Sequence, residues 1–248
     1  MDRLRAAGCV FAEDEAALLL AAASGPEELE RMVAERVTGR PLEQIVGWAE
    51  FCGLRVVVEP GVFVPRRRTE LLARIAGDVA GPGSVVVDLC CGTGALGAAL
   101  LVAVPGAEVY AADVDPAAVH CARRNLPPKR VFEGDLYDAL PVTLRRRVDV
   151  LVVNAPYVPS TAIALMPPEA RDHEHRVALD GGDDGLDVHR RVVAGADDWL
   201  APGGTLLIEA GREQAPVTAG LMTDVGLVGR LEHDDDLDGT CVVGRRSH

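Results

Sequence analysis

The sequence predicts an α/β fold, a doubly wound sheet preceded by a small helical region and a β-hairpin. Three observations carry this. Val85-Val86-Val87 and residues 148–153 are short, nearly all-apolar runs, the pattern of strands buried on both faces of a parallel sheet. Helical segments alternate with these runs. A glycine-rich turn ends the first run and opens a helix.

Taken in order, residues 13–38 have a helical pattern in two pieces. Leu18, Leu19 and Leu20 lie in the first, Ser24-Gly25-Pro26 breaks it, and Leu29, Met32, Val33 and Val37 recur at helical spacing in the second. Pro26 followed by Glu27 and Glu28 starts a helix well, because proline suits the first turn and acids favour its dipole. Leu54-Arg55-Val56-Val57-Val58 and Val62-Phe63-Val64 flank Glu59-Pro60-Gly61, which predicts a hairpin. A helix over 69–79 follows. Strands are expected over 85–87, 108–112, 130–133, 148–153 and 205–209, the last after the turn Ala201-Pro202-Gly203-Gly204. Helices over 96–104, 116–125 and 186–200 lie between them, and 226–245 holds one or two further strands.

With 248 residues, 48% hydrophobic and 25% charged, the chain suits one large or two small soluble domains. The apolar run over 16–23 is too short to span a bilayer, and no basic-apolar-cleavage pattern opens the chain. A cytoplasmic location without a membrane partner is expected. The net charge of −13 argues against direct nucleic-acid binding, which needs a basic face. The basic runs at 66–68 and 145–147 are expected to be solvated loops or helix ends, with Arg66 open to a role in a cleft. The six cysteines form no C-x-x-C pair and no His cluster completes a zinc pattern, so buried reduced thiols and no metal are expected. His173 and His175 lack zinc spacing and suggest a loop near the substrate, Asp234-Asp235-Asp236 an exposed turn, and Trp48 and Trp199 packing.

Asp88-Leu89-Cys90-Cys91-Gly92-Thr93-Gly94 joins the first strand to its helix, and Gly97 completes G-x-G-x-x-G. Such glycines let the backbone turn tightly and approach a ligand. Asp113, about 20 residues on at the end of the second strand, can accept from both ribose hydroxyls. A nicotinamide dinucleotide and S-adenosylmethionine both fit this much. Asp88 favours the second, because an acid there repels a pyrophosphate and suits an ammonium. Asp135, after the third strand, can accept from an adenine amino group while Leu136 packs on the ring.

Asn154-Ala155-Pro156-Tyr157 follows the fourth strand at the same edge. A planar nitrogen has a delocalised lone pair and is weakly nucleophilic. Two acceptors aimed at its N–H groups would hold it and stabilise the positive charge that methylation develops. The Asn154 side-chain oxygen is one; the Ala155 carbonyl is the natural second, since Pro156 keeps that residue extended. Tyr157 can stack on the planar group.

The chain here resembles the HemK/PrmC family, methyltransferases that modify the glutamine of the Gly-Gly-Gln motif in peptide-chain release factors. Residues 39–47 and 50–54 resemble the family's linker and hairpin entry, Pro60-Gly61-Val62-Phe63-Val64-Pro65-Arg66 with Thr69-Glu70 its lead into the catalytic domain, and residues 178–186 its stretch after the catalytic loop. The resemblance implies a Rossmann-like class I methyltransferase sheet. Residues 1–45 would form a helical substrate-binding region, 46–68 a hairpin linker and 69–248 the methyltransferase domain. It implies S-adenosylmethionine held by Asp88, Leu89, Cys90, Gly92, Thr93, Gly94, Asp113, Asp135, Leu136 and Asn154, catalysis at Asn154, Ala155, Pro156 and Tyr157, and a release factor as protein partner. Three departures stand out. Ala155 replaces the first proline of the family's Asn-Pro-Pro-Tyr, Cys90-Cys91 replaces small or hydroxyl residues, and the N-terminal region is shorter. Competing readings are a methyltransferase for a small molecule or a nucleic-acid base, a nicotinamide oxidoreductase, and a non-catalytic S-adenosylmethionine-binding protein.

Overall fold

The computed structural model describes residues 1–247, so His248, the last residue of the expected methyltransferase domain, lies outside the described residues. The chain opens with four short helices, α1 (Asp2–Ala6), α2 (Ala12–Ala22), α3 (Pro26–Val37) and α4 (Leu42–Val46). They enclose their own small core of Leu4, Ala12, Leu19, Met32 and Ile45. The break at Ser24-Gly25-Pro26 falls where the sequence puts it. Among the described residues no helix is long and apolar enough to cross a membrane.

The hairpin is displaced from its expected position. It is made by β1 (Trp48–Phe51) and β2 (Leu54–Val57), with Phe51 opposite Leu54. Cys52 and Gly53 form the two-residue turn, with φ of 50° and 72°. Two positive φ values give a turn whose twist matches that of the strands. Glu59-Pro60-Gly61 is instead a connecting loop, and residues 62–64 do not return along β2. Their hydrogen-bonding groups are committed elsewhere. The Asn125 side chain donates to the Val57 carbonyl (2.9 Å) and accepts from its N–H (2.8 Å), while the Val64 N–H donates to Glu174 (3.1 Å).

After α5 (Glu70–Val79) the expected alternation appears: β3 (Val85–Leu89), α6 (Ala95–Ala103), β4 (Glu108–Asp113), α7 (Pro116–Asn125), β5 (Val131–Glu133) and β6 (Val148–Val153). Then come α8 (Pro168–His173), α9 (Asp187–Trp199), β7 (Leu200–Glu209), α10 (Ala215–Asp224), β8 (Leu227–Asp234) and β9 (Gly239–Arg246). The seven strands lie in the order β5-β4-β3-β6-β7-β9-β8. β3 to β7 are parallel, and β9 runs antiparallel between β7 and β8. β7 starts earlier than expected, because Leu200 already pairs with Val148 of β6, and residues 201–204 bulge before pairing resumes at Val150 and Thr205. Gly204 permits this: a Cβ there would lie 2.7 Å from the Val148 carbonyl oxygen.

The two-residue period of the central strands divides the core. Val85, Val87 and Leu89 face one layer with Leu151, Ile208 and the apolar side of α9; Val86 faces the other with Val150, Val152, Leu207 and the helices α5 and α6. Both faces of β3 and β6 are therefore dry, as their sequences require. Strand order reverses between β3 and β6, which sets a crevice at their carboxyl ends.

Candidate active site

A cleft of about 780 Å³ opens at that edge. The loop after β3 forms its floor. Cys90, Gly92 and Gly94 all have positive φ (57°, 53° and 75°), so the chain reverses within five residues of the strand. At Gly92 the Cβ direction is open space, whereas a Cβ on Gly94 would lie 2.8 Å from Leu126. Gly92 thus serves the cleft, and Gly94 the seating of the loop on α7 and the residue after it. Cys90 and Cys91 are thiols, not thiolates, since burial pushes both far up.

The acids meet at this floor. Asp113 accepts from the Gly92 N–H (2.8 Å) and the Asp115 N–H (2.9 Å). Each of its oxygens keeps a second lone pair for a ligand. Asp135 and Arg191 pair at 2.6 Å on the cleft wall beside Leu136, whose φ is 49°. Asp88, Leu89 and Gly94 do not line the cleft. Leu89 belongs to the core. Asp88 is fully buried beneath the loop, accepts from the Gly97 N–H (3.0 Å) through one oxygen, and has its Oδ1 without a protein partner.

Asn154, Ala155, Pro156 and Tyr157 form the next wall. The Asn154 amide donates to the Thr69 hydroxyl (3.2 Å). Ala155 is buried in the core, and the Tyr157 hydroxyl donates to Glu209 (3.2 Å). Burial, then the Glu209 charge, raises the Tyr157 pKa. Residues 179–187 brace this wall from behind. The Val158 N–H donates to the Leu179 carbonyl (3.1 Å), the Gly181 N–H to the Val158 carbonyl (2.9 Å), and Gln214 to the carbonyls of both Tyr157 and Asp184 (2.9 Å each).

A second segment crosses the mouth. Met166, Pro167, Glu169, Ala170 and Val177 line it. It is anchored by buried Glu174, which binds Arg66 (2.6 Å), and by His175, 2.5 Å from Asp115. Gln44 donates to the carbonyls of Val62 (3.1 Å) and His173 (3.2 Å), tying α4 to the same knot. Arg36, buried between Glu15 (2.6 Å) and Glu169 (2.6 Å), links the small helical core to this segment. The first basic run is the expected helix end, with Arg67 and Arg68 exposed, and Arg66 and Arg68 also line the cleft. No sequence signal separates these arginines from a surface run, because their acid partners are about 108 and 141 positions away in the chain.

The chain matches the family described as Methyltransferase small domain over residues 53–166. It is 37% identical over 228 residues to the release factor glutamine methyltransferase of Geobacter sulfurreducens, covering 89% of this chain and 79% of that protein. It is also 35% identical over 235 residues to the 4-amino-L-phenylalanine/4-methylamino-L-phenylalanine methyltransferase of Streptomyces pristinaespiralis, covering 90% and 79%. This chain belongs to the release factor glutamine methyltransferase family. A methyltransferase from Pyrococcus furiosus shares the fold, with a TM-score of 0.60 at 16% identity over 79% of this chain and 90% of that one. As a member of the family the chain is an S-adenosylmethionine-dependent N-methyltransferase, and its sheet is the class I methyltransferase sheet.

The floor of this family member fits that cofactor. The orphaned buried Oδ1 of Asp88 suits an ammonium, reached directly or through water, and would oppose a pyrophosphate. Burial, with the Asp113 charge adding to it, raises the Asp88 pKa to about 7. The folded group therefore binds its proton more tightly than the unfolded one. Its contribution to stability is fully present below about pH 4 and is lost as pH rises to about 7. Asp88→Asn keeps an acceptor for Gly97 and cannot ionise. We expect it to melt several degrees above the native protein at pH 8, at roughly 2–4 °C per kcal/mol, and no higher at pH 4. Calorimetry should show weaker binding of S-adenosylhomocysteine. Equal melting differences at both pH values would refute the assignment.

Proposed function

We propose that this enzyme methylates the side-chain amide nitrogen of a glutamine in a protein, the Gly-Gly-Gln glutamine of a peptide-chain release factor. The observation that carries the reading is the Asn154 side chain. Its NH₂ is committed to Thr69, which leaves its oxygen to accept from an amide nitrogen in the cleft. The Ala155 carbonyl supplies the second acceptor and Tyr157 the stacking face. Asp113 holds the ribose hydroxyls, Asp135 and Leu136 the adenine, and Asp88 the ammonium. Leu89, Cys90, Gly92, Thr93 and Gly94 shape the loop beneath, and Asn154 stands where cofactor and substrate meet. S-adenosylmethionine, when bound, supplies an electrophilic methyl group. Asn154 and Ala155 fix the amide N–H groups and take up the positive charge that builds on nitrogen. The proton then leaves from a cationic nitrogen, so no strong base is required. Residues 1–45 hold the substrate protein, 46–68 link, and 69–248 catalyse.

A second reading has its own support. The relative named for 4-amino-L-phenylalanine covers as much of this chain as the release-factor relative does. An arylamine is also a planar, weakly nucleophilic nitrogen. Labelled S-adenosylmethionine offered with a Gly-Gly-Gln release factor or with 4-amino-L-phenylalanine separates the two. We expect label in the release factor alone, lost when its glutamine is replaced. Label in the amine alone would replace the first reading by the second.

A further inference from the structure

Beside the Asn154–Tyr157 wall lies a polar cluster that contacts the candidate catalytic side chains, with Thr69 and Arg68 at the cleft edge and Glu209 behind it. Thr69, 4% exposed, accepts from the Asn154 amide at 3.2 Å. Glu209, 3% exposed at the end of β7, accepts from the Tyr157 hydroxyl at 3.2 Å, has Arg68 at 3.6 Å, and holds its Oε2 without a partner. Thr69 and Arg68 end the turn before α5, whereas Glu209 comes from the neighbouring strand of β6. Two independent elements thus grip the two ends of one four-residue wall. Glu209 does not line the cleft, so it cannot act on substrate directly.

We infer that Thr69 and Glu209 are positioning residues for methyl transfer. Thr69 selects the amide rotamer of Asn154. With the NH₂ held by the hydroxyl, the oxygen faces the cleft; without it, the amide can turn over and present donors to the substrate's own donors. Glu209 fixes the rotation of Tyr157 by accepting its hydroxyl proton. Burial raises the Glu209 pKa, and the Thr69 hydroxyl and the Arg68 charge beside it oppose that rise. The inference rests on the reading of Asn154 as the amide acceptor and is indifferent to which planar nitrogen is methylated.

Thr69→Val keeps the shape and removes the hydroxyl; Thr69→Ser keeps the hydroxyl. Orientation errors of about 1 Å can cost about 10²-fold in rate. The valine variant should lose at least about tenfold in kcat with KM for S-adenosylmethionine unchanged, and the serine variant should recover most of it. Glu209→Leu, which has no acceptor for the Tyr157 hydroxyl, should likewise lower kcat without moving that KM, and Glu209→Gln, which keeps one, should recover most of it. A second readout needs no turnover: solvent exchange of the Asn154 side-chain amide protons by NMR, identified by their absence in Asn154→Ala. Exchange should quicken in Thr69→Val and stay slow in Thr69→Ser. Equal exchange in native and valine proteins, or equal loss of kcat in the valine and serine variants, overturns the role of Thr69. Native kcat in Glu209→Leu, or equal loss in the leucine and glutamine variants, overturns that of Glu209. If native protein methylates neither substrate, the substrate reading fails, and the exchange measurement still decides the role of Thr69.

Discussion

Asn154→Ala should lower methyl transfer by about 10²–10³-fold, with S-adenosylhomocysteine binding weakened by less than about tenfold. The change deletes the acceptor that meets the nitrogen as it becomes cationic. Its value is greater in the transition state than in the ground state, since the amide N–H groups become more acidic as charge builds. Interactions of that kind raise kcat rather than lower KM. Asn154 follows a strand that is dry on both faces and so has little freedom to relax. The substitution leaves the Asp88, Asp113 and Asp135 constellation untouched, which is why cofactor affinity is largely kept. Single-turnover rates with saturating S-adenosylmethionine, beside calorimetry with S-adenosylhomocysteine, give the two numbers. A variant with native single-turnover rate would remove Asn154 from the chemistry. One that had lost cofactor binding by the same factor as rate would make it a cofactor residue only.

Much of this site is legible in the sequence because its parts are local. The glycine loop, Asp113 and Asp135 each sit at the end of a short apolar run, and parallel pairing brings such ends to one edge. α7 begins at Pro116 and ends at Asn125 as expected, with Asp115 capping it through the Ala117 N–H. The hairpin was less legible. Cys52 is an unusual occupant of a left-handed position, so Glu59-Pro60-Gly61 carries the stronger turn signal. The helices α1, α4 and α8 were missed because each spans only five or six residues, too few to show a helical period. α10 lacks amphipathic contrast: Ala215, Thr218 and Met222 are its buried residues among other small and apolar ones. The supports of the site could not be read at all. Thr69 to Asn154, Tyr157 to Glu209 and Gln214 to Tyr157 span 85, 52 and 57 positions, and only the folded chain pairs them.

The segment 178–186 bears on the chemistry through one glycine. Gly185 has a φ of 78°, and a Cβ there would overlap the Tyr157 carbonyl oxygen and the Gln214 amide that binds it. Gly185→Ala thus meets two costs. A left-handed φ at a non-glycine residue costs about 1–2 kcal/mol. The overlap is with backbone, so the Pro156–Tyr157 wall must move, and Gln214 loses its seat. Displacing that wall by about 1 Å should cut kcat by about 10²-fold. The cofactor floor lies on other loops, so S-adenosylhomocysteine affinity should be kept. Gly83 separates the two costs: its φ is 83°, with open space where a Cβ would go. Gly83→Ala should therefore lose stability by a similar conformational amount while turning over at the native rate. Thermal melting and single-turnover rates on both variants make the comparison. If Gly83→Ala lost as much rate as Gly185→Ala, general destabilisation would explain both. If Gly185→Ala kept the native rate, the wall would not depend on the segment behind it. The expected split ties the spacing of three glycines and two acids over 181–185 to the orientation of Tyr157, a connection made by van der Waals exclusion rather than by any contact with substrate.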